Sequence, residues 1–167
     1  WDMLQLSPVG FDDEDVATGT RALAELAAGR YAAETGASPV GTAPAASPGA
    51  AASGDLCALL AAEEVTAALG APVTLEALPP SGCLYHGGTT GPSAAGLTLA
   101  MAQGADADAG IEQLRSMGWP EITVGGLPTL QAPTEEVMGG LSRSVVAIIV
   151  GPSSVLLLSA DAPASVD

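Results

Sequence analysis

The segment SVVAIIVGPSSVLLLSA, from Ser144 to Ala160, is the longest apolar stretch of the chain and decides how the chain can fold. Its 17 residues come close to the ~20 that a helix needs to cross a bilayer. The sequence Gly-Pro-Ser-Ser at 151–154 interrupts it, however, and aliphatic runs on both sides of a turn sequence are typical of a β-hairpin. We therefore predict an antiparallel hairpin here and no membrane span in this chain.

The segments before this hairpin predict helices first and strands afterwards. A helix is predicted over 55–70, because apolar residues share one face and Gly70 ends the pattern. An alternating strand over 96–103 precedes a second helix over 106–118. Short strand patterns then lead to the hairpin. This order predicts an α+β fold, with an antiparallel β-sheet and helices packed on one face.

Composition divides the chain into three parts. Residues 1–36 form a strand-helix segment, residues 37–54 a linker rich in Pro, Ala, Ser and Gly, and residues 55–167 the main α+β module. The apolar positions of the first part at helical spacing are Val16, Leu23, Leu26 and Tyr31. A lone strand and helix bury too little surface to stay folded. We therefore expect this helix to pack on a main module, either of its own chain or of a neighbouring copy.

The two ends of the sequence resemble each other. LQLSPVGFDDED at 4–15 matches LLLSADAPASVD at 156–167 in four of twelve positions, and both order a strand, a turn and an acidic approach to a helix. The similarity predicts a tandem array, in which residues 1–36 are the tail of a preceding repeat. A structural repeat subunit of a cell-surface assembly or filament is one function that this pattern favours.

The charge restricts the partners. Four arginines and no lysine stand against 19 carboxylates, which gives a formal net charge of −15. Nucleic acid and anionic lipid are both attracted by Lys and Arg, so this composition excludes nucleic acid as a partner. The partners that remain are another protein, a small ligand, or neighbouring copies of the chain.

Two acidic clusters resemble fragments of calcium loops, one at 12–15 and one at Asp106 and Asp108. Each lies where a helix is predicted to begin, and carboxylates stabilise that end of a helix through capping and the helix dipole. The glycine pairs in VGGLP and MGGL lack the lysine of a phosphate-binding loop. We predict neither a metal nor a cofactor.

The two cysteines, Cys57 and Cys83, could form a disulfide, remain free buried thiols, or provide half of a metal site. Zinc requires about four ligands, and His86 is the one additional soft ligand in the chain. The residues therefore favour the disulfide, which would place the chain in an oxidising compartment.

His86 is the sole histidine and lies in the sequence CLYHGG. A catalytic histidine needs a nucleophile and an orienting acid beside it, and no nucleophile-elbow pattern such as G-x-S-x-G is present. We interpret His86 as a surface residue of a loop and predict that the protein is not an enzyme.

The pattern DLCALLAAEEVTAALG followed by GCLYHGG and a late hairpin resembles actinobacterial secreted lipoproteins of an uncharacterised family. The matching positions are Cys57, Leu59, Leu60, Glu64, Val65, Leu69, Gly70, Cys83 and Tyr85. The resemblance covers 55 to about 159 and implies an extracytoplasmic α+β module, secreted or associated with the cell surface, with a Cys57–Cys83 bridge. It implies no catalytic residue. The expected function is a non-catalytic cell-envelope module that binds a protein partner or a small ligand.

Overall fold

The computed structural model describes residues 13–35, 55–78, 82–87, 95–137 and 141–163. Within these ranges the chain forms three α-helices, a short 3₁₀-helix and eight strands joined in one antiparallel sheet. The predicted α+β class, with an antiparallel sheet and one disulfide, is confirmed. The predicted linker and the strand expected before residue 8 lie outside the described residues.

The helices are α1 (Asp13–Thr35), α2 (Ala62–Leu69) and α3 (Ala105–Ser116), and the 3₁₀-helix spans Leu56–Ala58. The strands are β1 (Val73–Leu78), β2 (Gly82–Gly87), β3 (Gly96–Gln103), β4 (Glu121–Val124), β5 (Leu127–Gln131), β6 (Glu135–Val137), β7 (Leu141–Gly151) and β8 (Ser154–Pro163). The helix predicted over 55–70 is therefore two pieces, and Gly70 ends the second piece in the left-handed conformation, at φ 63°.

The hairpin of β7 and β8 lies at the centre of the sheet, whose strand order is β1-β2-β3-β8-β7-β5-β4, with β6 also paired to β7. This confirms the hairpin predicted from the apolar segment. Its two strands pair from Leu141 and Pro163 to Gly151 and Ser154, and Ser153 adopts a positive φ of 55° in the turn. None of the helices in the described ranges is long and apolar enough to cross a bilayer.

Successive residues of β7 and β8 point to opposite faces of the sheet, and both faces carry helices. Val146 and Ile148 belong to the larger core, together with buried residues of α1 and α2. Ala147 belongs to a smaller core, together with Ile111 of α3. The helix layer expected on one face is thus formed by α1 and α2, and α3 covers part of the other face.

Small side chains let α1 lie close to the sheet. Its buried residues are Val16, Thr20, Leu23, Ala24, Ala27, Ala28 and Tyr31. Each of them has another buried residue three or four positions away, so together they form one stripe along the helix. Leu26, which the sequence pattern included in this stripe, is 42% exposed, because Leu23 lies at one edge of the stripe and Leu26 lies about 60° beyond that edge. The helix therefore packs on the sheet of its own chain.

The backbones of α1 and α2 also approach each other closely. A Cβ atom at Gly19 would lie 2.6 Å from the carbonyl oxygen of Ala68, so only glycine fits there without movement of the backbone. Farther along α1, Arg30 donates two hydrogen bonds to the carboxylate of Glu64, at 2.7 and 2.6 Å, and one to the carbonyl of Leu59, at 2.8 Å. These contacts fix α1 to the first helical segment of the main module.

Glu64 also caps its own helix, since its carboxylate accepts a hydrogen bond of 2.8 Å from the backbone N–H of Ala61. The hydrogen bonds from Arg30, followed by the bond from Ala61, lower the pKa of Glu64 from its ordinary 4.5 to about 2.

The substitution Gly19→Ala is expected to lower the free energy of unfolding by about 1–3 kcal/mol, because the added methyl group meets a backbone oxygen of α2. Gly29→Ala is the matched control on the same helix, since a Cβ there meets nothing within 4 Å. This control should gain about 0.5–1 kcal/mol from helix propensity. Urea unfolding of both variants measures the difference, and equal effects would contradict the packing of α1 on α2.

The carboxylate of Glu64 should give the protein an acid-dependent stability. Because its pKa is lower in the folded state than in the unfolded state, its contribution is complete above pH 4.5 and is lost as the pH falls towards 2. We expect Glu64→Gln to lower the unfolding midpoint at pH 7 and to have a smaller effect at pH 2–3. Glu63→Gln, which removes the exposed carboxylate one residue away, is the control and should retain the wild-type pH dependence of this range. An identical pH dependence for wild type and Glu64→Gln would refute the linkage.

Candidate functional site

The site begins at the cysteines, which are joined in a Cys57–Cys83 disulfide with their Cα atoms 5.4 Å apart. The carboxylate of Asp55 caps the 3₁₀-helix by accepting a hydrogen bond of 3.0 Å from the backbone N–H of Cys57. This turn presents Cys57 to the buried Cys83 of β2. The disulfide therefore attaches the segment that precedes α2 to the second strand of the sheet.

Asp55, Cys57 and Cys83 are also the one group of possible metal ligands that the described residues bring within 4.8 Å of each other. Both sulfur atoms are bonded to each other, and zinc binds cysteine as the thiolate. With the disulfide formed, the three residues provide an anchor for the chain and not a metal-binding donor set.

Tyr85, the aromatic residue two positions after Cys83, makes a second connection between β2 and the segment that precedes α2. Its ring is fully buried, and its hydroxyl group donates a hydrogen bond of 2.8 Å to the carbonyl of Leu60. Burial, followed by the nearby charges of Asp55 and Glu64, raises the pKa of Tyr85 to about 12. Tyr85 is thus a neutral structural residue that fixes β2 to the segment between the 3₁₀-helix and α2.

The anchored strand β2 holds β1, which lies at the edge of the sheet as the structure describes it. Two hydrogen bonds at one end of the β1–β2 pair show which residues of β1 point their N–H and C=O groups towards β2 and which point them away. The N–H of Val73 donates to the hydroxyl of Thr66 at 3.2 Å, and the N–H of its register partner Gly87 donates to Ala95 at 2.9 Å. Val73 and Gly87 are therefore a non-hydrogen-bonded pair, whose backbone groups point away from each other.

Because this orientation alternates along an antiparallel pair, Leu75 and Ala77 also direct their N–H and C=O groups away from β2. The alternate residues Thr74, Glu76 and Leu78 direct their backbone groups towards β2. The outer edge of β1 thus presents the backbone donors and acceptors of Leu75 and Ala77 to any chain that lies beside it.

The side chains of β1 are also accessible. After the half-buried Val73, the other five residues of the strand are exposed. Leu75 and Leu78, at 40% and 37% exposure, are two of the four large apolar side chains that the described part of the chain leaves open. Leu75 opposes Tyr85 and lies on the face of α1 and α2, whereas Glu76 opposes Leu84 and lies on the other face.

His86 lies on this other face, on strand β2 and not in the loop that the sequence suggested. Its Nε2 atom is 3.7 Å from a carboxylate oxygen of Glu76, and Thr74 opposes it in the register of the two strands. Both side chains are exposed, His86 at 46% and Glu76 at 62%, so water screens the attraction between them. The sequence did not connect His86 to Glu76, because hairpin pairing alone brings them together.

The acidic residues considered for calcium have other roles where the structure describes them. Asp108 accepts a hydrogen bond of 2.7 Å from the hydroxyl of Ser153, which joins the start of α3 to the hairpin turn. Asp106 is exposed in the first turn of the same helix. Asp13 begins α1, and Asp12 lies outside the described residues.

Comparison of the chain with protein-family models, with curated proteins and with solved structures gave no match. The site is therefore interpreted from its own geometry. It consists of an accessible edge strand, β1, whose neighbour β2 is held rigidly by a disulfide and by the buried Tyr85.

Replacing both Cys57 and Cys83 by Ser should lower the free energy of unfolding by about 3 kcal/mol, because the disulfide closes a 26-residue separation that the unfolded chain would otherwise explore. Urea unfolding of the double variant and the wild type measures this difference in the free energy of unfolding. Unfolding of the wild type with and without reductant should give a difference of similar size. In protein taken from the producing cells and acid-quenched without reductant, mass spectrometry should detect one linked peptide pair. Two thiols that react with an alkylating reagent in the native protein would contradict the bond.

Proposed function

We propose that this protein is a non-catalytic module of the cell envelope that binds a protein partner at the edge strand β1. One observation carries the proposal: β1 leaves Leu75 and Leu78 exposed next to outer backbone groups that pair with no other strand among the described residues. Proteins commonly protect such edges with charged side chains, proline, bulges or a covering element, because an open edge pairs with other chains. The strand from Val73 to Leu78 contains no proline, its register with β2 is regular, and Glu76 is its one charged residue.

The proposed compartment rests on the disulfide, which indicates an oxidising and therefore extracytoplasmic environment. The resemblance of the Cys57 and Cys83 segments to actinobacterial secreted lipoproteins supports the same location. In this environment the disulfide keeps the partner-binding strand in place without relying on a large aromatic core, since aromatic residues make up only 3% of the chain.

The charge of the surface supports a partner with basic groups. Three of the four arginines are engaged within the chain: Arg30 with Glu64, Arg115 with Glu121 and Arg143 with Asp161. The remaining surface is dominated by carboxylates, which attract a cationic partner and repel an anionic one.

The non-catalytic assignment is supported by the surroundings of His86. An imidazole that acts as a general base works best in a site that excludes water and positions a substrate. His86 instead lies on an exposed strand face, beside a carboxylate that is 62% exposed.

A photoreactive amino acid at Leu75 should capture a discrete protein from the envelope of the producing cells. Met117, which is 55% exposed at the end of α3, is the matched control and should give no adduct above background. The adduct at position 75 should also persist in a His86→Ala background, since the imidazole has no part in the proposed binding. Loss of the adduct in this background, or equal adducts at positions 75 and 117, would contradict a partner site at β1.

A further inference from the structure

Strand β1 offers three different features to a partner within six residues. Its outer edge presents backbone donors and acceptors at every second residue, and its helix-side face presents Leu75. Its other face presents the carboxylate of Glu76, with Leu78 at the end of the strand. A side-chain contact alone would use one of these features. An added β-strand would use all three, because its residues alternate between the same two faces.

We propose that β1 binds an extended segment of a partner protein, which adds to the sheet as an antiparallel strand and alternates apolar and basic residues. This proposal rests on the proposed function and names the chemistry of its partner. The residues of the segment that oppose Leu75 and Ala77 exchange backbone hydrogen bonds with them, and their apolar side chains contact Leu75. The intervening residues carry Lys or Arg, which lie on the face of Glu76.

The register of the strands gives this alternation. In an antiparallel pair, directly opposed residues point to the same face of the sheet. Residues opposite Leu75 and Ala77 are therefore both the hydrogen-bonded residues and the residues on the helix-side face. Residues opposite Glu76 direct their own backbone groups away from β1, so their contribution is the side chain alone.

A second copy of this chain could also pair at β1, but its charge disfavours it. Two copies would each bring a formal net charge of −15 to the contact. In the pairing that opposes one Leu75 to the other, Glu76 would face Thr74 and would find no basic side chain across the edge. A cationic segment gains from the same charge that repels a second copy, so the electrostatics select a basic partner.

The experiment uses the purified chain with its disulfide intact and a fluorescent peptide of sequence Val-Arg-Val-Arg-Val-Arg-Val with blocked ends. Binding is measured by fluorescence anisotropy at low and physiological salt. We expect the peptide to bind, and a Val-Glu alternation of equal length not to bind. Salt should weaken the binding, because part of the attraction is between exposed charges.

Two N-methylated versions of this peptide distinguish binding by strand addition from binding by charge attraction alone. N-methylation of the central valines removes donors that face β1 and should weaken binding at least about tenfold, the equivalent of one lost hydrogen-bond pair or more. N-methylation of the arginines modifies amides that face away from β1 and should have little effect. If both peptides bind as tightly as the parent peptide, charge attraction alone explains the binding and the proposal is wrong.

Variants of the protein test the same geometry. Ala77→Pro removes an outward N–H without removing a hydrogen bond to β2, and proline is tolerated at such edge positions. It should reduce peptide binding about tenfold while the thermal unfolding midpoint stays close to that of the wild type. Glu76→Gln should weaken binding modestly, and Glu136→Gln, on the exposed β6, is the charge-matched control that should not.

The remaining outcomes are also decisive. No binding of the parent peptide overturns strand addition, while an adduct at position 75 from cell envelopes would still support a partner site of another kind. Concentration-dependent dimerisation of the chain that Ala77→Pro abolishes, detected by analytical ultracentrifugation, would show that the edge pairs with a second copy instead and would likewise overturn the basic-segment proposal.

Discussion

The central hairpin of β7 and β8 is the interaction on which the rest of the structure depends. Its two strands, of 11 and 10 residues, are the longest of the sheet and carry neighbours on both sides. Their alternating residues divide the molecule into two cores, one beneath α1 and α2 and one beneath α3. Because the hairpin pairs locally in sequence, it can form before the more distant strands are added to it.

Small side chains on both partners explain how an aromatic-poor chain packs a helix against this hairpin. α1 buries Ala24, Ala27 and Ala28 against the sheet and places Gly19 against α2. On the sheet side, Ser142, Ser144 and Ala160 are also buried. The hydroxyl of Ser144 has no hydrogen-bond partner among the described residues, and such an atom carries a desolvation cost. The close packing of α1 on the sheet at this position therefore outweighs the cost of leaving the Ser144 hydroxyl without a hydrogen bond to another described residue.

The end of the sheet formed by β1 and β2 is stabilised by covalent and polar contacts. The disulfide and the hydroxyl of Tyr85 both connect β2 to the segment between Asp55 and Leu60. These contacts hold β2 from the helix side and leave the outer edge of β1 accessible. A strand that is already held in place loses little conformational entropy when a partner pairs with it, so the anchoring of β2 is consistent with the proposed binding at β1.

Local sequence patterns were sufficient for part of this description. The Gly-Pro turn inside an aliphatic run determined the hairpin, the alternating apolar residues determined β3, and the two cysteines favoured the disulfide. The same patterns did not separate the 3₁₀-helix from α2, because both belong to one apolar face, and the break lies at Ala61, the N-cap of α2, whose N–H donates to Glu64. They also placed Leu26 on the wrong side of α1.

What the sequence determined by itself is the central hairpin, β3 and the approximate positions of the helices, since hydrophobic period, turn residues and charge are local properties of the chain. The tertiary structure alone decided how these elements meet. It placed α1 on the sheet of its own chain, put α3 on the opposite face, paired His86 with Glu76 and left β1 at the edge. Each of these outcomes depends on strand order and register, which join residues far apart in the sequence through backbone hydrogen bonds that carry no sequence signal of their own.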